Sequence, residues 1–211
     1  AFARSGINTV EGNLTIGGED EENPVTNLDG LRKLVSVRCD LTITAAYTGE
    51  TLAGLENLTA CESLRIGSAA HPNETLRQLS LPALKEIKGD LCVYGTALQT
   101  ADFKSLQSVA GHFVLQSDAL LQLTADELTT VAGNMTLIGT TADEAKAPCE
   151  QMYFPKLQRI DGTLTLSRFD RLSGLGTTFG VLTQAGALRY EHLALANTFE
   201  FPLIETTGDI T

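Results

Sequence analysis

The nine residues from Val10 to Gly18 read VEGNLTIGG. Close variants return as IKGDLCVYG (Ile87–Gly95), VAGNMTLIG (Val131–Gly139) and IDGTLTLSR (Ile160–Arg168). Repetition of this kind constrains the fold more than any other feature of the chain. A unit too short to bury its own apolar face must stack on copies of itself. Aligned on the first apolar residue of each phrase, the copies begin at Leu14, Leu41, Leu64, Leu91, Phe113, Met135, Leu164, Leu193 and Ile210. The spacings are 27, 23, 27, 22, 22, 29, 29 and 17. All but the last fall within the roughly 20–29 residues of leucine-rich solenoids.

Each copy follows one order. Apolar residues first recur every third position, as in Leu28, Leu31, Leu34 and Val37, or Phe103, Leu106 and Val109. A helix would instead need i, i+3, i+4, i+7. A small residue follows, usually glycine (Gly12, Gly89, Gly111, Gly133, Gly162), where a tight corner or close packing of rungs is required. A short alternating stretch then sends Leu14 and Ile16 to one side and Asn13 and Thr15 to the other. The expected fold is therefore a β-rich solenoid, a right-handed, parallel β-helix-like leucine-rich repeat with short helical turns. One such turn is expected after Thr124, where TADE has capping-box spacing to Glu127. Residues 1–211 are read as a single domain of seven to nine repeats, clear over 10–166 and degenerate over 167–211. Its core should contain Leu14, Ile16, Leu41, Ile43, Leu64, Ile66, Leu91, Val93, Phe113, Leu115, Met135, Leu137, Leu164 and Leu166.

The phrase L..L..L..I.G.L.I resembles the receptor L domain of the epidermal growth factor and insulin receptor families, and the repeats of bacterial and fungal cell-surface proteins. The likeness covers roughly Val10–Leu166 and implies architecture more than function. The usual leucine-rich repeat carries an asparagine ladder after the strand, whereas this chain has Gly, Ser or Thr there. The cysteine-rich modules that flank receptor L domains are absent, so a growth-factor receptor is not implied.

Composition narrows the partners. Twenty-six acidic side chains against 15 basic ones give a net charge of −11. That charge repels polyanions, so nucleic acid and anionic membrane are disfavoured. No apolar stretch reaches the roughly 18–20 residues of a membrane helix, so no membrane insertion is expected. The opening AFARSG has the look of a mature or trimmed terminus, and the closing TTGDIT that of another copy cut short.

Catalytic and metal signatures are sparse. His112 and His192 occupy the outward slot before the core residue, filled elsewhere by Asn13, Asp40, Asp90 and Asn134, and His71 lies in the loop AAHPNET. No histidine or cysteine neighbours have zinc-ligand spacing. No nucleophile elbow, phosphate loop or dinucleotide fingerprint occurs. The acidic run Glu19–Glu22 lacks the ordered ligand positions of a calcium loop and reads as a solvated loop. No cofactor or metal is expected. Asp40 and Asp90 share a face two rungs apart, about 10 Å at the usual strand spacing of about 4.8 Å. That is a loose pair for glycoside hydrolysis.

Cys39 and Cys61 fall near one corner of adjacent rungs, and a disulfide there would fit an exported protein, with free thiols almost as well supported. Cys92 and Cys149 have no evident partner. Sequons occur at Asn13, Asn57, Asn73 and Asn134, of which Asn73, in its loop, is the best acceptor.

The functional expectation is a non-catalytic recognition or adhesion module, extracellular or at a cell surface, that binds a protein or glycan. The alternative is a carbohydrate-active enzyme with acidic residues on the sheet face. The sequence argues against an ice-matching array, because Arg65, Cys92 and Val114 interrupt the column of Thr15, Thr42, Thr136 and Thr165. Loop length varies mainly just after the core strand, so insertions should emerge along one edge. The residues expected to bind are Asp40, Arg65, His71, Asp90, Tyr94, His112 and Tyr153, with Tyr47 among the aromatic groups of that edge.

Overall fold

The computed structural model describes residues 8–18, 23–140, 147–172, 178–191, 193, 204–205 and 208–210. It is a parallel β-solenoid with almost no helix. The front column stacks Leu14–Ile16, Leu41–Ile43, Leu64–Ile66, Leu91–Tyr94, Phe113–Gln116, Met135–Ile138, the second half of Arg159–Ser167, and Gln184–Glu191. A side column of two-residue strands runs from Thr9–Val10 through Ser36–Val37, Ala60–Cys61, Glu86–Ile87 and Ser108–Val109 to Thr130–Val131. Arg159–Ser167 passes through both columns and joins them into one 14-stranded sheet. A third side is closed by a 4-stranded sheet of Gln78–Ser80, Thr100–Asp102, Gln122–Thr124 and Gln151–Tyr153.

The three-residue periodicity has a simple cause. Leu31 N–H donates to Leu28 C=O and Leu34 N–H to Leu31 C=O, and the same i+3 to i bond joins Leu55 to Leu52, Leu84 to Leu81, Leu106 to Phe103 and Leu157 to Phe154. Each bond closes a tight turn and returns an apolar side chain to the interior. Thr124 ends a strand here, and Ala125–Leu128 is one of these turns, so the expected helix does not form. Ala125 N–H donates to Tyr153 C=O on the next rung, and Leu128 N–H closes the turn on Ala125 C=O. One short helical element is the 3₁₀ turn Asp29–Leu31.

One continuous core fills the space between the sheets. Leu91 and Val93 are fully buried, as is nearly all of the expected set. Leu14, on the first rung, is only partly covered. Phenylalanines form a chain through the middle: Phe103 meets Phe113 edge-on at 5.9 Å, Phe113 meets Phe154 at 6.5 Å, and Phe154 stacks on Phe179 at 5.4 Å. Ala125 takes the intervening position in the turn column, and the larger ring of Phe113 spans the space beside it.

The register of the last rungs corrects the sequence alignment. Leu164 pairs with Leu188 rather than Leu193, and Leu188 bridges Ile210. The final spacings are therefore 24 and 22 residues (188 − 164 and 210 − 188), which match the rest of the repeat.

Candidate functional site

The outward slot before each core strand residue holds a hydrogen-bond ladder. The side chain of one rung caps the backbone N–H at the same position on the next. Asp40 N–H donates to Asn13 Oδ1 at 3.1 Å, and Asp90 N–H to Ser63 Oγ at 3.3 Å. His112 N–H donates to Asp90 Oδ1 at 2.9 Å, Asn134 N–H to His112 Nδ1 at 2.9 Å, and Thr163 N–H to Asn134 Oδ1 at 2.9 Å. These amides sit at the corner, where sheet pairing is interrupted, and an unpaired backbone donor there would be costly. The interchangeability of Asn, Asp, Ser and His follows: each offers a short-reach acceptor.

The ladder also accounts for the glycines beside it. Gly111 N–H donates to Gly89 C=O, Gly133 N–H to Gly111 C=O, and Gly162 N–H to Gly133 C=O. A Cβ on Gly133 would lie 2.6 Å from Gly111 O and 2.8 Å from His112 Nδ1, so the rungs approach too closely for a side chain.

The next outward row runs Thr15, Thr42, Arg65, Cys92, Val114, Thr136, Thr165 and Arg189 in strict register. Arg65 Nη2 reaches diagonally to Asp90 Oδ2 at 3.3 Å, so both oxygens of Asp90 are engaged. A third, shorter row places Tyr94 level with Gln116, Ile138 and Ser167. Burial pushes the Tyr94 hydroxyl and the Cys92 thiol up from their ordinary values, and Arg65 opposes the shift in each case. Asp40, Arg65, Asp90, Tyr94 and His112 thus share one face.

His71 stands at the edge of that face. Where the front strands exit, a cleft of about 420 Å³ opens between consecutive corners. Gly17, Thr42, Thr44, Ala46, Ser68 and His71 line it. Gly17 (φ 90°) and Gly67 (φ 60°) turn the chain in the left-handed region, and a Cβ on Gly17 would press on Tyr47 N at 2.8 Å. Thr44 Oγ1 donates to Gly17 C=O at 3.0 Å and accepts from Ala46 N–H at 3.2 Å. His71 N–H donates to Ser68 Oγ at 3.0 Å, and Ser68 N–H donates to His71 C=O at 2.9 Å. Thr44 and Ser68 were not singled out by sequence; the recurring turn of a short hydroxyl residue directly after a strand was the available signal.

Several expectations are corrected here. Tyr47 is fully buried, its hydroxyl donating to Thr51 C=O. Asn73 is also fully buried: its Nδ2 donates to Tyr47 C=O at 2.8 Å and Thr44 C=O at 3.2 Å, and its Oδ1 accepts from Leu76 N–H at 2.8 Å. It staples two loops together and offers no amide for glycosylation in the folded chain. Tyr153 lies on the third sheet, level with Thr124, and not on the front face. His192 and Glu19–Glu22 lie outside the described residues.

The expected Cys39–Cys61 bridge is not formed, and all four cysteines are free thiols. Cys61 belongs to the strand that pairs with Ser36–Val37 and points into the core, whereas Cys39 lies beyond that strand with Sγ 3.7 Å from Glu11 C=O. Burial, with Asp40 and Glu62 adding to it, pushes the Cys61 thiol up to about 12. Burial raises Cys149 to about 11.

Among the described residues, no group of three or more His, Cys, Asp or Glu side chains could hold a metal ion. No helix among them is long and apolar enough to cross a membrane. The chain matches no protein-family model, no curated protein and no solved structure.

Proposed function

We propose that this chain is a non-catalytic recognition module, exported or displayed at a cell surface, that binds a protein or glycan through its front face and strand-exit edge. Within this proposal the solenoid is a receptor L domain-like leucine-rich repeat. The observation that carries it is the cleft beside the Thr42–Arg65 row, where a rigid stack of strands presents small polar groups and a histidine. Recognition residues tend to collect on loops held by such a scaffold. Most of the polar ladder next to it caps backbone amides, which gives the face rigidity rather than reactivity.

The carbohydrate-active alternative draws on Asp40 and Asp90. Asp90 holds Arg65 with one oxygen and the His112 amide with the other. A general acid needs its carboxyl proton aimed at a leaving group. The non-catalytic reading is therefore preferred. The test is a glycan array run beside a capture screen against cell-surface proteins, with turnover of every captured glycan monitored. Retention of an intact ligand supports the module, and release of hydrolysed sugar overturns it.

A further inference from the structure

The cleft at the strand-exit edge has a chemistry of its own. Two corners of successive rungs, Thr44–Ala46 and Gly67–His71, line it together with Gly17, Gly18 and Thr42. Gly17, Gly18, Gly67, Ala45 and Ala46 make up its floor, so Cα and methyl surface is exposed there without bulk. At about 420 Å³ it falls near the lower end of small-ligand sites, which run from about 300 to 1,000 Å³.

Polar groups stand around that floor. Thr42 Oγ1 and the His71 ring make no hydrogen bond among the described residues, and Ser68 Oγ there only accepts, leaving its proton available. The cleft therefore offers two hydroxyl donors and an imidazole that can both donate and accept. Arg65, adjacent to Thr42 in the sheet register, is held by Asp90, which balances its charge locally. A net charge of −11 disfavours an anionic occupant.

We infer that this cleft is a subsite for one neutral pyranose residue, seated with its apolar C–H face on the Ala45–Ala46 floor and its hydroxyls on Thr42, Ser68 and His71. The inference rests on the binding-module reading and narrows it to a glycan and to one place. An amphipathic sugar ring fits a site with an apolar floor and a polar rim. Small floor residues let the ring approach the backbone closely, and Asn73 ties the 44–47 corner to the loop that follows His71, which fixes the two sides of the cleft relative to each other.

The full 211-residue chain is screened on an array of neutral and acidic glycans, and the best binder is titrated by calorimetry. Three variants are run in parallel: Thr42→Val, His71→Ala and Ser68→Ala. Each alters an unburied group, and melting curves confirm folding. A neutral glycan that binds the parent and loses at least tenfold in affinity in Thr42→Val and His71→Ala supports the inference. Unchanged affinity in all three variants overturns the cleft while leaving the module intact. Preference for acidic glycans, or capture of a protein with no glycan bound, also overturns the cleft and spares the wider reading. Absence of any ligand in the array and in the protein screen defeats both.

Discussion

His112 Nδ1 accepts the backbone N–H of Asn134 at 2.9 Å, while its own backbone N–H donates to Asp90 Oδ1 at 2.9 Å. The imidazole acts as one step of a ladder that otherwise uses Asn, Asp and Ser. Accepting at Nδ1 requires a lone pair there, so the neutral ring carries its proton on Nε2. Replacing His112 with Ala removes the acceptor and should destabilise the fold by about 1 kcal/mol. His112→Asn, which restores the chemistry of Asn13 and Asn134, should recover most of that loss. Urea melts of the three proteins measure it. Equal stability of parent and alanine variant would mean that water satisfies the amide equally well.

The glycines beside the ladder divide into two kinds. A Cβ at Gly133 would meet Gly111 backbone at 2.6–2.7 Å, whereas a Cβ at Gly12 meets nothing within 4 Å. Gly133→Ala should therefore lower stability by roughly 2–4 kcal/mol by forcing two rungs apart, and Gly12→Ala should change it by about 0.5 kcal/mol or less. Thermal melts compare them directly. Similar losses at both sites would show that conformational entropy, and not close approach, sets the cost.

Phe113 touches Phe103 and Phe154 on either side of the space left by Ala125. Phe113→Ala should cost about 3–5 kcal/mol, because an enclosed cavity remains in a rigid stack. Phe113→Leu, the commoner residue of that column, should cost less. Chemical denaturation checks both, and a loss below about 1 kcal/mol in the alanine variant would show that the interior collapses to fill the gap.

Much of this architecture was legible in the sequence, for identifiable reasons. Leu41, Ile43, Leu91 and Val93 alternate with polar neighbours, and one-sided burial admits a single register. The three-residue period was visible too, although its origin in i+3 to i turn bonds appears only in the structure. The eighth rung was misplaced because alanine stands where larger residues mark other copies. Phe179, Leu182, Gly186 and Leu188 carry the usual pattern, and Ala185 stands where other copies have Val or Ile. Asn73 as a glycan acceptor and Tyr47 as an edge aromatic both need exposure, which loop residues usually have, yet both side chains turn inward, and Asn73 supplies the donor for the carbonyls of Thr44 and Tyr47. Cys39 and Cys61 looked adjacent because distance along the chain says nothing of which side of a corner each side chain takes.

The buried thiols should be inert and should make the fold sensitive to alkali. Burial raises Cys61 from 9.0 to about 12 and Cys149 from 9.0 to about 11. In the unfolded chain both ionise first, so above about pH 9 the folded state holds more protons and stability falls. The loss continues until the folded value is passed, with a limiting slope of roughly 1.4 kcal/mol per pH unit for each thiol. In native protein at pH 8, iodoacetamide should label Cys39 and Cys92 well before Cys61 and Cys149. Mass spectrometry of the digested protein reads the order. Early labelling of Cys61 would contradict its place in the core.

The claim that the front face and its edge bind a ligand is tested most directly by one affinity measurement. Arg65 and Tyr94 stand on adjacent outward rows, half-exposed, and neither belongs to the amide-capping ladder. The Arg65→Ala, Tyr94→Ala double variant should keep a melting temperature close to that of the parent, since an exposed ion pair contributes about 0–1 kcal/mol. Its affinity for the captured protein or glycan, measured by calorimetry, should fall at least tenfold. Unchanged affinity in a folded double variant would place the binding surface elsewhere on the solenoid and contradict the account.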